Sequence, residues 1–293
     1  MKTKRTVEDY VVLFIAYTAL ALFALSTLLP FLNVVSKAVS EDWAVVSGKV
    51  GVWPVGFQLG TMKFIVTSME YLRSMGVSIL VTAIGTVLGL LVLAVTAYPL
   101  SKKHVPGIKV IMLAFVFTML FNGGMIPSYL LIKQIKLYDT IWAMILPGMI
   151  NVFNLMIIKN YYEGLPDSIE ESARVDGASN ARILFKIIMP LAKPVYATIT
   201  LFLAVYYWNN YMEPMLYINN TALQPVQLYL RAIVLEQSDA STALGQTLGD
   251  RMNISPEGIR SAAIVAATVP ILAIYPFVQK YFVSGITIGS VKG

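Results

Sequence analysis

Residues 77–100 read VSILVTAIGTVLGLLVLAVTAYPL, without one Asp, Glu, Lys or Arg. The hydrocarbon core of a bilayer requires about 20 such residues in a helix. The whole chain has the same character. Of its 293 residues, 57% are apolar and 13% charged, against about 45–50% and about 25% in a soluble domain. The mean hydropathy is +0.70. A soluble fold of this length would lack the charge to cover its surface, and disorder requires low hydrophobicity. The expected fold class is therefore all-α, a polytopic membrane protein.

Five further stretches satisfy the same test, at residues 11–32, 110–131, 141–158, 195–212 and 261–279, and none of them contains a charged residue. Pro147 and Pro270 lie inside two of these, which membrane helices tolerate because neighbouring groups re-satisfy the freed backbone. Six spans put both termini on one side, together with residues 101–109 and 159–194. That side carries 13 Lys and Arg against 7 Asp and Glu, and the opposite side 9 against 9. All of the net +6 is thus on the side of the termini, which the positive-inside rule makes cytoplasmic. The excess is a topology signal, and no nucleic-acid patch is expected. The first apolar run is about 22 residues, longer than the roughly 7–15 of a signal-peptide core, so it reads as a retained span. No repeat or second soluble domain is found, leaving one transmembrane domain over residues 1–293 in a lipid bilayer.

Several chemistries are excluded. The chain has no Cys and one His, His104, so disulfides, thiol nucleophiles and Cys- or His-built metal sites are out. It has no G-x-x-x-x-G-K-[ST] loop to cradle ATP phosphates. No span holds a carboxylate, Lys, Arg or His, groups that proton- and ion-coupled carriers place near the midplane. A secondary carrier or channel for a polar solute, working without them, is the alternative that stays open.

The longest loop on the cytoplasmic side, residues 159–194, reads KNYYEGLPDSIEESARVDGASNARILFKIIMPLAKP. Pro166 and Asp167 lead into a helix. Ser168 is the expected N-cap, and Glu171 three residues on completes a capping box. Gly177 supplies the positive φ that ends this helix. A second helix is expected from Asn180 to Met189, with Ile183, Leu184, Ile187 and Ile188 on one face and Pro190 as its stop. Pro194 marks entry to the fifth span. Such a hairpin suits docking on a cytosolic partner or lying on the lipid surface.

Here the residues resemble a family. Glu171-Ser172-Ala173, Asp176-Gly177-Ala178, Phe185, Ile188, Pro190 and Pro194 look like the EAA loop of ATP-binding-cassette (ABC) importer permeases, with Ser172 where Ala is usual. The ending SGITIGSVKG, residues 284–293, is similar to the tail of the maltose-type second permease. The resemblance implies a carbohydrate importer subunit in the bacterial cytoplasmic membrane. It implies a coupling helix whose Glu171, Ser172, Ala173, Asp176, Gly177 and Ala178 meet a cytosolic ATPase, and a tail contact through Gly289 and Lys292. The implied partners are a second homologous permease, two cytosolic ATP-binding-cassette subunits that hold the ATP and Mg, and an extracytoplasmic solute-binding protein. No cofactor or metal is expected on this chain. Oligosaccharides, with acidic ones such as alginate or pectin fragments among them, are the implied cargo. A heterodimeric permease pair is implied, while a homodimer stays open.

Within the spans, Asn151 and Asn154 are expected to share a helix face. They read either as interhelical hydrogen-bonding residues or as cargo contacts. Tyr206, Trp208, Asn209 and Asn210 close the fifth span. Aromatic faces beside amides suit a sugar, and Trp and Tyr equally gather at any membrane interface. Thr82, Thr86, Thr198 and Thr200 are weaker candidates for the path. Gly85 and Gly89 form a G-x-x-x-G in the second span, a spacing that admits close helix contact. The outer segments 33–76 and 213–260 read as docking surfaces for a binding protein or as solvated connectors.

Overall fold

A computed structural model describes residues 7–102, 105–236 and 255–290, the side chains of 7, 236 and 274–290 excepted. Helices dominate the described residues, and the one extended pairing is an isolated bridge between Ser40 and Phe57. Glu8–Ala38, Met69–Leu100 and Pro256–Ala273 are each long and apolar enough to cross a membrane. They contain the first, second and part of the sixth expected spans.

Of the other three expected spans, two are broken and the fifth is largely one helix. Residues 110–131 fall in two helices, Ile108–Leu120 and Met125–Gln134, bent by 115°. The cause is Asn122-Gly123-Gly124. The Asn122 side-chain oxygen accepts from the Gly124 N–H at 2.9 Å, and Gly124 has φ +92°, a conformation L side chains rarely adopt. Residues 141–158 are split between Trp142–Ile145 and Val152–Glu163, interrupted around Pro147 and Gly148, the two residue types least suited to a helix interior. The fifth is the helix Lys193–Asn209, joined at 82° to Asn180–Leu191. By length and composition the described residues supply three spans, or up to five if each bent pair counts as one.

The chain divides into two compact units, Met1–Tyr71 with Leu230–Val269 and Leu72–Tyr229 with Pro270–Gly293. In the first, the segment after the Val7–Ala38 helix is folded rather than a loose connector. The Asn33 amide donates to the carbonyls of Val50 and Gly51 at 3.0 and 2.8 Å. Asp42 accepts from the Ser255 N–H at 2.8 Å. Lys37 pairs with Glu257 at 3.2 Å. Residues 237–254 of the other outer segment lie outside the described residues.

In the second unit, Leu93, Ile145, Leu155, Ile158, Ile188, Ile199 and Leu203 form one buried core. The helix Lys193–Asn209 packs here against Met69–Leu100 at the two glycines of G-x-x-x-G. A Cβ on Gly85 would lie 2.7 Å from the Tyr207 ring, and one on Gly89 3.3 Å from Leu203.

Candidate functional site

Two places in the second unit carry the residues singled out above. The first is the helix Asp167–Val175. Pro166 is its N-cap, with no side-chain cap bond. Ser168 is therefore inside the first turn, and the expected capping box with Glu171 does not form. Pro166, at φ −62° and ψ 130°, is extended and has no N–H for a preceding turn, and it disfavours the helical region for Leu165, so the helix starts at Asp167. Asp167 and Glu170 occupy the first turn, where negative charge favours the helix dipole.

The end of this helix is as expected. Gly177 has φ +78°. Its N–H donates to Arg174 O at 3.0 Å, and the Ala178 N–H donates to Ala173 O at 2.9 Å. That pair of bonds is a Schellman motif. The Ser179 side chain then accepts from the Arg182 N–H and caps the next helix. Pro190 does not stop that helix. Leu184–Ile188 forms a π turn and the helical path runs on to Leu191. A π turn widens the backbone where the proline ring would clash with the carbonyl four residues back. Pro194 lies in the first turn of Lys193–Asn209.

Ala173 is buried, whereas Glu171, Ser172, Asp176 and Gly177 are exposed and Ala178 is half-buried. Val175 is 88% exposed. Glu171 has no side-chain partner among the described residues. Its neighbour Glu170, not singled out from the sequence, faces inward. It forms an ion pair with Lys102 and accepts from the Tyr98 hydroxyl at 3.4 Å.

The second place is a cleft of about 410 Å³ between the Pro147-Gly148 interruption, the start of Val152–Glu163 and the helix Lys193–Asn209. That volume falls in the range of small-ligand sites, roughly 300–1,000 Å³. Asn151, Asn154 and Tyr206 all line it. The two asparagines do not share a helix face, because Asn151 precedes the helix as its N-cap and accepts from the Asn154 N–H at 3.1 Å. Trp208 and Asn209 do not line it. Trp208 is buried and its indole N–H has no partner among the described residues, while the Asn209 amide donates back to Val205 O at 3.0 Å.

Tyr206 and Asn210 converge on Glu213, which stands just beyond the fifth helix. The Tyr206 hydroxyl donates to one carboxylate oxygen at 2.9 Å and the Asn210 amide to the other at 2.7 Å. Burial raises the Glu213 carboxyl above its ordinary pKa, and those two donors oppose the rise. Glu213 was invisible in the sequence, where it counts as one more acidic residue of an outer segment. Gly289 lies in the helix Pro256–Ser290, and Lys292 lies outside the described residues.

Tyr206 reaches the cleft because residue 148 has no side chain. A Cβ there would lie 2.4 Å from its ring. Tyr206 is 39% exposed, so it can swing aside rather than break the core. Gly148→Ala is therefore expected to displace Tyr206 and part it from Glu213. Solute uptake should fall severalfold at unchanged protein level in membranes. Unchanged uptake by Gly148→Ala and by Tyr206→Phe would remove this cleft from the path.

Comparison with known proteins finds likeness over nearly the whole chain. Residues 4–288 match the family described as binding-protein-dependent transport system inner membrane component. The chain is 45% identical over 268 residues to Protein LplC of Bacillus subtilis (strain 168), covering 91% of this chain and 90% of that one. It is 43% identical over 277 residues to the polygalacturonan/rhamnogalacturonan transport system permease protein YtcP of the same organism, covering 94% and 96%. Among solved structures it resembles a chain in the crystal structure of a bacterial ABC transporter involved in the import of the acidic polysaccharide alginate. The TM-score is 0.89 at 32% identity, covering 96% of this chain and 100% of that one.

Proposed function

The chain belongs to the family of binding-protein-dependent transport system inner membrane components, and from that premise we propose that it is the permease subunit of an ATP-driven importer of acidic oligosaccharides. It is a transport subunit and not an enzyme. The helix Asp167–Val175 is the coupling helix, seated in a cleft of a cytosolic ATPase subunit. The observation that carries this is its outward face, where Glu171 stands without a partner among the described residues beside Val175 at 88% exposure. Glu171 and Val175 are one turn apart and so share a face, which the Schellman turn at Gly177 holds in a fixed position for a partner.

Six passages through the membrane, with the fourth broken at Pro147-Gly148, place both termini and residues 159–194 in the cytoplasm. A second homologous permease completes the path, and two ATPase subunits hold the ATP and Mg. A solute-binding protein delivers cargo from outside. Uronate-containing oligosaccharides are the proposed cargo, supported by the polymers named for two of the similar proteins. Asn151, Asn154 and Tyr206 provide amides and an aromatic face toward the path, and Asn210 holds Glu213 beside Tyr206. Gly289 and Lys292 are proposed to meet the ATPase at the tail.

The test is purification from native membranes in mild detergent with mass spectrometry of what accompanies the chain. An ATPase, a second permease and a binding protein are expected. Glu171→Ala should weaken recovery of the ATPase severalfold. Oligogalacturonides on the binding protein should stimulate hydrolysis where neutral maltooligosaccharides do not. A lone homo-oligomer without an ATPase would overturn the importer, and equal stimulation by neutral sugars would overturn the acidic cargo.

A further inference from the structure

Adjacent carboxylates of the helix Asp167–Val175 face opposite ways. Glu171 is exposed, whereas the Glu170 side chain retains 13% of its accessible surface. Lys102, just past the end of Met69–Leu100, forms its ion pair with Glu170 at 16% exposure. The Lys102 ammonium also lies 4.7 Å from the centre of the Tyr98 ring, and the Tyr98 hydroxyl bonds Glu170. Arg174, one turn on, approaches the same carboxylate at 3.8 Å but is 47% exposed.

The contacts continue inward. Tyr98 meets Tyr162 edge to face, centroids 6.4 Å apart at 76°. The Tyr162 hydroxyl is bonded to that of Tyr196 and donates to Ala94 O at 3.4 Å. Tyr98, Tyr162 and Tyr196 are all buried. Ala94, Tyr98 and Lys102 are four apart, so they follow one face of the Met69–Leu100 helix and its exit. One buried series of polar and ring contacts thus joins the short helix to the ends of Met69–Leu100, Val152–Glu163 and Lys193–Asn209. A helix resting on this scaffold only by apolar contact could slide or lift. One whose inward carboxylate is paired in a half-dry site is held in register, because separating the charges leaves each unpaired where water is scarce.

We infer that Lys102, acting with Tyr98 on Glu170, is a positioning residue that clasps the coupling helix to the Met69–Leu100 helix, so that movement imposed by the ATPase reaches that span. This rests on the importer reading. It assigns the outward carboxylate to the partner and the inward one to transmission.

The experiment uses the complete importer in proteoliposomes, reading sugar taken up and ATP hydrolysed in the same sample. Lys102→Met keeps length and removes charge. ATPase subunits should still co-purify, since the Glu171 face is intact. Sugar moved per ATP should fall about tenfold, within the usual range of coupling between sites. The exchange Lys102→Glu with Glu170→Lys should restore most of that ratio, which a merely structural loss would not do, while each single reversal should not. Tyr98→Phe removes only the hydroxyl and should cause a smaller loss. An unchanged ratio in Lys102→Met overturns the clasp. So does failure of the exchange to recover the ratio in an assembled complex. Should Lys102→Met not assemble, the exchange and Tyr98→Phe decide alone. If the unaltered chain brings down no ATPase, the importer reading itself falls, a result distinct from a coupled complex indifferent to Lys102.

Discussion

Gly177→Val is expected to leave the chain inserted in the membrane and to remove ATP-coupled uptake. At φ +78° the backbone of Gly177 occupies a region that a β-branched residue enters rarely. A Cβ there would meet nothing within 4 Å, so crowding plays no part. The penalty is confined to the backbone, about 1–2 kcal/mol. That is small beside a folded-state stability of roughly 5–15 kcal/mol, so the protein persists. It is large for a single turn, since 1.4 kcal/mol is about tenfold in population. Relief comes by turning φ negative, which breaks the Ala178 to Ala173 bond and swings the segment from Ser179 away from the helix Asp167–Val175. Glu171 and Val175 then lose their fixed presentation. A graded series isolates the cause. Gly177→Asn should keep much of the activity, because Asn visits this region more readily than other side chains, and Gly177→Ala should fall between. The readouts are membrane level, ATPase recovery and sugar moved per ATP. Uptake by Gly177→Val within twofold of the unaltered protein would show that this turn does not set the docking geometry.

The loop around Gly177 was the most legible part of the chain, for a local reason. Pro166, Gly177 and Pro194 act through their own backbone and Ser179 through a side-chain cap three residues on, so a helix, a turn and a second helix follow without knowledge of any distant neighbour. Even there the start lies two residues earlier than expected, because Ser168 is a good cap by type while Pro166 takes the cap position. Hydropathy found the apolar segments but not their breaks. An 18- to 20-residue window averages across Asn122-Gly123-Gly124 and across Pro147-Gly148, and both interruptions lie within runs free of charge. The Asn151 and Asn154 pairing failed for the same reason, since a shared helix face presupposes a continuous helix. Contacts between distant segments left no trace in either residue. Nothing near Glu170 announces Lys102, 68 positions earlier, and nothing near Gly85 announces Tyr207.

Gly85→Val is expected to have the second large effect, on assembly rather than coupling. In lipid, helices gain nothing from leaving water, so association depends on close contact. The seam between Met69–Leu100 and Lys193–Asn209 is close at Gly85, where a Cβ would lie 2.7 Å from Cε2 and Cζ of Tyr207. Tyr207 cannot yield. It is 4% exposed, and its hydroxyl donates to Ile145 O at 2.9 Å. Moving the ring removes that bond inside the core, and keeping it forces the helices apart. Overpacking of this kind costs about 1–3 kcal/mol, and the displaced hydroxyl, if left buried without a partner, adds about 1–3 kcal/mol. Together these are a large share of what holds a membrane bundle. Most of the Gly85→Val protein should therefore aggregate on extraction, with a lower melting temperature in the part that survives. Gly89→Ala is the comparison. Its nearest neighbour is a methyl of Leu203 at 3.3 Å, a branched tip that can turn, so its melting should stay near that of the unaltered protein. Gly148→Ala faces an even shorter approach, yet to a tyrosine that can swing outward, and should melt normally while transporting poorly. A Gly85→Val chain that elutes and melts like the unaltered one would mean that the two helices do not meet at this glycine. The order of the three, Gly85 worst for stability despite not having the shortest contact, follows from which facing side chain is free to move.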